Sequence, residues 1–358
     1  AAGAVTTAKI ADKAVTSAKA LNLGRRNLII NGAMIVAQRA TSVSVTDGTN
    51  EGYSTVDRFR FDYANNAGGT ATVSQDTTVP SGYGFNHSLK IDVTGADTSL
   101  ATTHMIILRQ QIEAQNIRNS GWDYTNSSSK ITLSFWARSV KAGTYTVSLR
   151  ATDVGAQYYP IEYTLAANTW QKVEATIPGD SSLVFNDDSE VGLDVRWHLA
   201  LGDDRNNGTA NQWNGVTDGT EKAGTSNQVN FFDDVANNFF LTGVQLEVGD
   251  TATDFEHRSF AEELALCRRY FQEISGGGSG TATTGGQTAS AQSVANFPVQ
   301  MRVAPTTITV GSTANTTNSG GGVGTASVTN YSLRYTASSS SSGRQYWYVE
   351  SVKLDAEL

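Results

Sequence analysis

Residues Phe240–Tyr270 read FLTGVQLEVGDTATDFEHRSFAEELALCRRY, and this stretch sets the fold class. Phe240, Leu241, Val244, Leu246 and Val248 fit a half-buried strand, with strict alternation over Val244, Leu246 and Val248. Gly249-Asp250 punctuates the run. Ser259 and Glu262 then stand three apart, the spacing at which a hydroxyl and a carboxylate cap a helix start reciprocally. Phe260, Leu264, Cys267 and Phe271 follow at steps of four, three and four, a narrow apolar seam of the kind found between parallel helices. Two heptads are too short to stand alone. A short seam between strand-rich regions therefore predicts chains meeting on a common axis.

Upstream, candidate strands run from 27 to 36, 58 to 62, 71 to 75, 88 to 93, 105 to 113, 130 to 137, 143 to 150, 157 to 165, 170 to 177, 191 to 200 and 239 to 248. Ile131, Leu133, Phe135 and Ala137 share one face, as do Tyr145, Val147 and Leu149. The sequence reads as all-β: a jelly-roll-like β-sandwich over residues 27–258, a short trimeric helix bundle over 259–275 and a small β domain over 276–358. Residues 1–26 carry a ten-residue repeat, AVTTAK at 4–9 and AVTSAK at 14–19. It has too little apolar surface to fold alone. As a shaft it would place Val5, Ile10 and Val15 on the trimer axis; as a linker it would be disordered.

Composition narrows the function. Of 358 residues, 34 are glycine, five proline and 17% charged, a turn-rich pattern unlike that of an α/β enzyme. A net charge of −8 without a basic block removes the electrostatic footprint of nucleic-acid binding. No apolar run reaches membrane-span length, so no membrane insertion is expected. The single cysteine, Cys267, rules out an intrachain disulfide and reads as a packing residue on the seam rather than a nucleophile. The four histidines are scattered without zinc spacing. Neither a GxSxG nor a Walker-type loop occurs, so no catalytic residue, cofactor or metal is assigned. The doublets Asp187-Asp188, Asp203-Asp204 and Asp233-Asp234 read as solvated loop residues before a glycosidase pair or a calcium site.

Two aromatic groups are candidate glycan or receptor contacts. Trp213 lies among Asn211, Gln212 and Asn214 in the polar excursion 202–224, where it either pins the loop or stacks on a sugar. Tyr331, Tyr335, Tyr346, Trp347 and Tyr348 sit on carboxyl-terminal strands, with Tyr331, Leu333 and Tyr335 expected on one strand face and Trp347 facing away from Tyr346 and Tyr348. Gly276-Gly277-Gly278 and the Ser/Thr/Gln stretch around it read as linker.

The phrases LTGVQLEVG, FEHRS and EELALCRRYF, together with RNLIINGAMIVAQR at 26–39 and YSTVDRF at 53–59, resemble tail-fibre proteins of short-tailed bacteriophages, especially those infecting marine bacteria. The similarity runs over residues 24–305. It implies a homotrimeric virion fibre, made in the host cytoplasm and joined to other tail proteins through an amino-terminal anchor. Such a fibre would adsorb through its tip to a bacterial surface glycan or outer-membrane receptor. The readings left beside it are a lectin-like module of a secreted bacterial protein and a polysaccharide-degrading spike.

Overall fold

A computed structural model describes the backbone of residues 26–153, 155–216, 220–282, 289–311, 313–317, 323–339 and 343–358. Within these, it describes side chains outside 276–293, 312–326, 335–348 and 350. Val5, Ile10 and Val15, and the side chains of Tyr335, Tyr346, Trp347 and Tyr348, lie outside the described residues. Two compact units divide the chain after Arg258.

The first unit contains β1 (Ser42–Thr46), β2 (Arg60–Ala64), β3 (Thr70–Asp76), β4 (Ser88–Gly95), β5 (Met105–Glu113) and a five-residue helix α1 (Ala114–Arg118). It continues with β6 (Lys130–Ser139), β7 (Gly143–Ala151), β8 (Gln157–Leu165), β9 (Gln171–Pro178), β10 (Val191–Leu201), β11 (Asn214–Gly215) and β12 (Asn238–Val248). These strands form two six-stranded antiparallel sheets, ordered β1-β3-β4-β12-β6-β9 and β11-β8-β7-β10-β5-β2. The expected β-sandwich is what forms. Period-two alternation builds it: Ile131, Leu133, Phe135 and Ala137 from the first sheet meet Leu193, Val195, Trp197 and Leu199 from the second. Trp197 is fully buried at the centre, with the Phe135 ring edge-on at 5.7 Å from across the sandwich.

One local expectation is corrected. Residues 27–36 form no strand; they wrap an interruption in β12, where the register slips between Thr242 and Gln245 at a β-bulge. Gly243 takes φ +63° there. The bulge leaves the Val244 peptide without a strand partner, and the wrap supplies one: Val244 N–H donates to Gly32 O at 3.0 Å, and Asn27 Nδ2 donates to Val244 O at 3.0 Å. Residues 42–46, outside the candidate strands, pair with β3 as the edge strand β1.

The second unit contains α2 (Phe260–Arg268), β13 (Phe271–Ala282), β14 (Ala289–Asn296), β15 (Thr307–Val310), β16 (Thr313–Thr317), β17 (Val323–Val328), β18 (Ser332–Ser339) and β19 (Gly343–Asp355). The Ser259–Glu262 capping box forms in both directions. The helix is shorter than the seam required: it ends at Arg268, and Phe271 opens β13. Cys267 and Phe271 are buried, while Phe260 is 57% exposed and Leu264 half-buried. The four residues therefore do not form one open seam. The glycine run is not a linker, because Gly276, Gly277 and Gly278 pair with Val349, Tyr348 and Trp347 of β19. A small core of Ile274, Phe297, Met301, Leu333, Val349, Val352 and Leu354 closes the unit.

A candidate glycan site on the outer face of the first sheet

Along β6, Phe135 and Ala137 point into the sandwich, so Trp136 points out. Thr242 lies directly opposite it on β12 and Lys172 directly opposite on β9. Two further segments fold over this outer face and leave a cavity of about 280 Å³ between them. Its lining includes Tyr83, Phe85, Trp136, Lys172, Asp254 and His257.

The first segment is the loop 80–86, whose Gly82 and Gly84 both take positive φ and turn Tyr83 outward. Tyr83 is 53% exposed, and its ring sits 4.3 Å from the Trp136 ring, centroid to centroid, at 46°. Thr242 Oγ1 anchors the end of this loop by donating to His87 O at 2.7 Å.

The second segment is 251–258, the TATDFEHR phrase. Its polar side chains hold it to the sheet through two outward-facing residues of β12. Glu247 accepts from Thr253 N–H at 2.8 Å and from its hydroxyl at 2.7 Å. Gln245 Oε1 accepts from Glu256 N–H at 2.8 Å. Glu256 in turn accepts the Arg26 and Asn27 amides at 2.6 and 2.8 Å, and Arg258 donates to Ile29 O at 3.1 Å. Glu256 and Arg258 are thus used in holding the chain, and the alternate residues Phe255 and His257 face the cavity. Phe85, Phe255 and His257 form one aromatic wall, with centroids 4.9–5.2 Å apart. The His257 Nε2–H donates to Tyr83 O at 3.1 Å and joins the two covering segments. This bond reaches a loop 174 residues away in the chain.

Gly243 forms the floor. A Cβ there would meet Phe85 Cζ at 2.6 Å and Trp136 Cδ1 at 3.1 Å, so only glycine lets both rings close over the bulge. The cavity presents two aromatic faces and is bordered by Lys172 (paired with Glu174 at 2.6 Å) and Asp254. Flat rings beside charged and hydroxyl groups can stack on the C–H face of a sugar while bonding its hydroxyls.

The sequence-derived candidates are placed elsewhere. Trp213 donates its Nε1–H to Pro178 O at 2.8 Å and packs edge-on against Tyr159 at 5.3 Å, which is the loop-pinning role. Tyr331 is 59% exposed at the bend before β18, whereas Leu333 is fully buried, so the two do not share a face. Among the acidic doublets, Asp233 pairs with Lys141 at 2.6 Å and Asp204 accepts from Thr102 Oγ1 at 2.7 Å. Asp188 accepts from Glu190 N–H at 3.0 Å. Among the described residues no group of three His, Cys, Asp or Glu side chains could hold a metal ion.

The outer face of the second sheet holds charge instead of a cavity. Arg60, Arg109 and Arg196 stand opposite one another on β2, β5 and β10. Asp62 and the buried Asp194 separate them: Arg109 reaches both, at 2.8 and 3.2 Å, and Arg196 reaches Asp194 at 2.7 Å. Burial alone would raise the Asp194 carboxyl, but Arg196 and Arg109 outweigh it and hold it below its ordinary value. His198, beside them and accepting or donating at Ser148 Oγ (2.8 Å), is pushed down to about 3 by burial, reinforced by Arg196. Glu221 lies 3.7 Å from Arg196 and 3.2 Å from Arg205, tying the long loop down over the sheet.

No protein-family model and no curated relative matches the sequence. Solved structures show a distant likeness. A Bacteroides thetaiotaomicron protein named for sugar binding is 14% identical, with 63% of this chain and all of that chain covered and a TM-score of 0.33. A family 4 carbohydrate-binding module is 16% identical, over 61% of this chain and 98% of its own, with a TM-score of 0.30. The family 11 module from Clostridium thermocellum, in complex with a mixed-linked tetrasaccharide, is 12% identical over 61% and 99%, with a TM-score of 0.27. At these values the likeness assigns neither a fold family nor a ligand to this chain.

Proposed function

We propose that the first unit is a glycan-binding module that holds a sugar without cleaving it. The observation that carries this reading is the Tyr83–Trp136 ring pair, open to solvent and bordered by Lys172 and Asp254. A cavity of about 280 Å³ lies just under the ~300–1,000 Å³ usual for small-molecule sites, which suits one sugar ring at a time. Asp254 is the one carboxylate of the lining, and glycoside cleavage by a paired mechanism needs two. Affinity electrophoresis against a panel of soluble polysaccharides tests it. Retardation by at least one of them, lost in Trp136→Ala and kept in Trp213→Phe, is the expected result; retardation by none would refute the reading.

This module suits a secreted lectin-like protein, and nothing beyond the pocket is needed for it. A second proposal keeps the module on a homotrimeric virion fibre. Phe260 favours it: this side chain is 57% exposed at the start of α2, with Leu264 half-buried one turn on. Native mass measurement of the full chain and of Phe260→Asp separates the two. A trimer lost on substitution supports the fibre, and a monomer in both contradicts it.

A further inference from the structure

The outer face of the first sheet does not end at the pocket. Two residues before Thr242 on β12, one pleat repeat or about 7 Å along the strand, Phe240 points the same way. Its register partners are Lys90 on β4 and Arg138 on β6. Lys90 Nζ lies 5.6 Å and Arg138 Cζ 5.1 Å from the ring centroid, and the Trp170 ring stands 6.0 Å away. Phe240 is consequently only 4% exposed: its ring supports two cations and an indole, which form a second platform beside the first.

The cations on this face are not equivalent. Lys90 is matched by Asp92 at 2.7 Å and Lys172 by Glu174 at 2.6 Å. Among the described residues Arg138 has no carboxylate partner. It donates Nε–H to Asn168 O and Nη2–H to Asn168 Oδ1, both at 3.2 Å, so neutral groups fix its orientation and leave its charge uncompensated. Asn168 is itself held at φ +58°, with its N–H donating to Ser139 O at 2.7 Å. A guanidinium oriented by amide oxygens over an aromatic ring, in a chain of net charge −8, is built to receive an anion rather than to close a salt bridge.

We propose that the ligand is an acidic oligosaccharide that runs from the Tyr83–Trp136 pocket to the Phe240–Trp170 platform. Its anionic substituent, a uronate-type carboxylate or a sulfate ester, sits on Arg138. This inference rests on the glycan-binding reading of the pocket and deepens it to a two-subsite, charge-selective groove.

The test is isothermal titration of the full chain with neutral, carboxymethylated and sulfated forms of one α-glucan and one β-glucan, at 50 and 500 mM NaCl. Wild type, Arg138→Gln, Arg138→Lys and Trp136→Ala are compared, with melting temperatures checked. On at least one backbone an acidic form binds tenfold or more tighter than the neutral form. Arg138→Gln removes that margin, Arg138→Lys restores part of it, and salt weakens it. The acidic form that benefits distinguishes carboxylate from sulfate. Equal affinity for neutral and acidic forms, or an acidic preference unchanged in Arg138→Gln, overturns the inference and leaves the pocket reading standing. No binding of any glucan form by wild type overturns the inference, and the panel of the preceding section then decides the pocket reading separately.

Discussion

Tyr83 and Trp136 lie 53 positions apart in the chain, yet their ring centroids are 4.3 Å apart on the outer face of the first sheet. One ring stands on a strand and the other on a loop with two positive-φ glycines, so the pair depends on the loop being held down. The link from His257 Nε2 to Tyr83 O provides that hold. Replacing His257 with Ala is expected to leave the fold intact and weaken sugar binding severalfold, since a neutral–neutral hydrogen bond contributes about 1 kcal/mol. Titration beside thermal melting checks this, and unchanged affinity would show that the loop needs no such link.

Gly243 makes a sharper demand. Its φ of +63° and the 2.6 Å approach of a Cβ to Phe85 combine in one position. Gly243→Ala is expected to cost about 1–3 kcal/mol of stability and to abolish binding by displacing Phe85 and Trp136. Denaturant unfolding and titration of the same sample measure both.

In the core, Phe135→Ala removes a ring that meets both Trp197 at 5.7 Å and Tyr163 at 5.2 Å. A loss of about 3–5 kcal/mol in the unfolding free energy is expected, from lost burial plus the cavity left behind. A loss below 1 kcal/mol would mean that the two sheets are not packed as described.

His198 carries a pH signature. Its folded-state value is lowered to about 3 from 6.5, first by burial. Between those values the unfolded chain binds a proton that the folded chain refuses. The stabilising contribution is therefore complete above about pH 6.5 and is lost as pH falls toward 3, by up to ~1.4 kcal/mol per pH unit. Asp194, held below its ordinary value, loses its contribution only at lower pH, as it falls through its folded-state value. Unfolding free energies from pH 4 to 7 should thus fall more steeply in wild type than in His198→Gln, and parallel curves would contradict this.

Trp213 separates pinning from ligand contact. Trp213→Phe keeps the ring against Tyr159 and deletes the bond to Pro178 O, so a stability loss of about 1 kcal/mol with unchanged sugar affinity is expected.

The sandwich was legible because its core strands alternate cleanly: Ile131, Leu133, Phe135 and Ala137 are all fully buried. The bulge left a trace as well. The apolar pattern of β12 steps by three from Leu241 to Val244 with a glycine between, which is one residue more than alternation allows. The pocket had a weaker signal in Trp136, an aromatic on the outward phase of a strand whose inward phase was already assigned. Its partners Tyr83, Phe255 and His257 come from segments distant from Trp136, and no local spacing connects them to it. Trp213 drew attention through its amide neighbours, yet a side chain that reaches a carbonyl 35 positions away is indistinguishable in sequence from one that reaches a ligand. Phe271 falls outside the helix because it starts a strand, which no helical period can anticipate from its own spacing.

The most direct measurement follows the Trp136 indole N–H signal, assigned among the six tryptophans by Trp136→Phe, while oligosaccharide is added. The account predicts a saturable shift of that signal with a sugar from the panel, while the Trp197 and Trp213 signals stay in place. Saturable binding that moves Trp213 and leaves Trp136 unchanged would contradict it and return the site to the long loop.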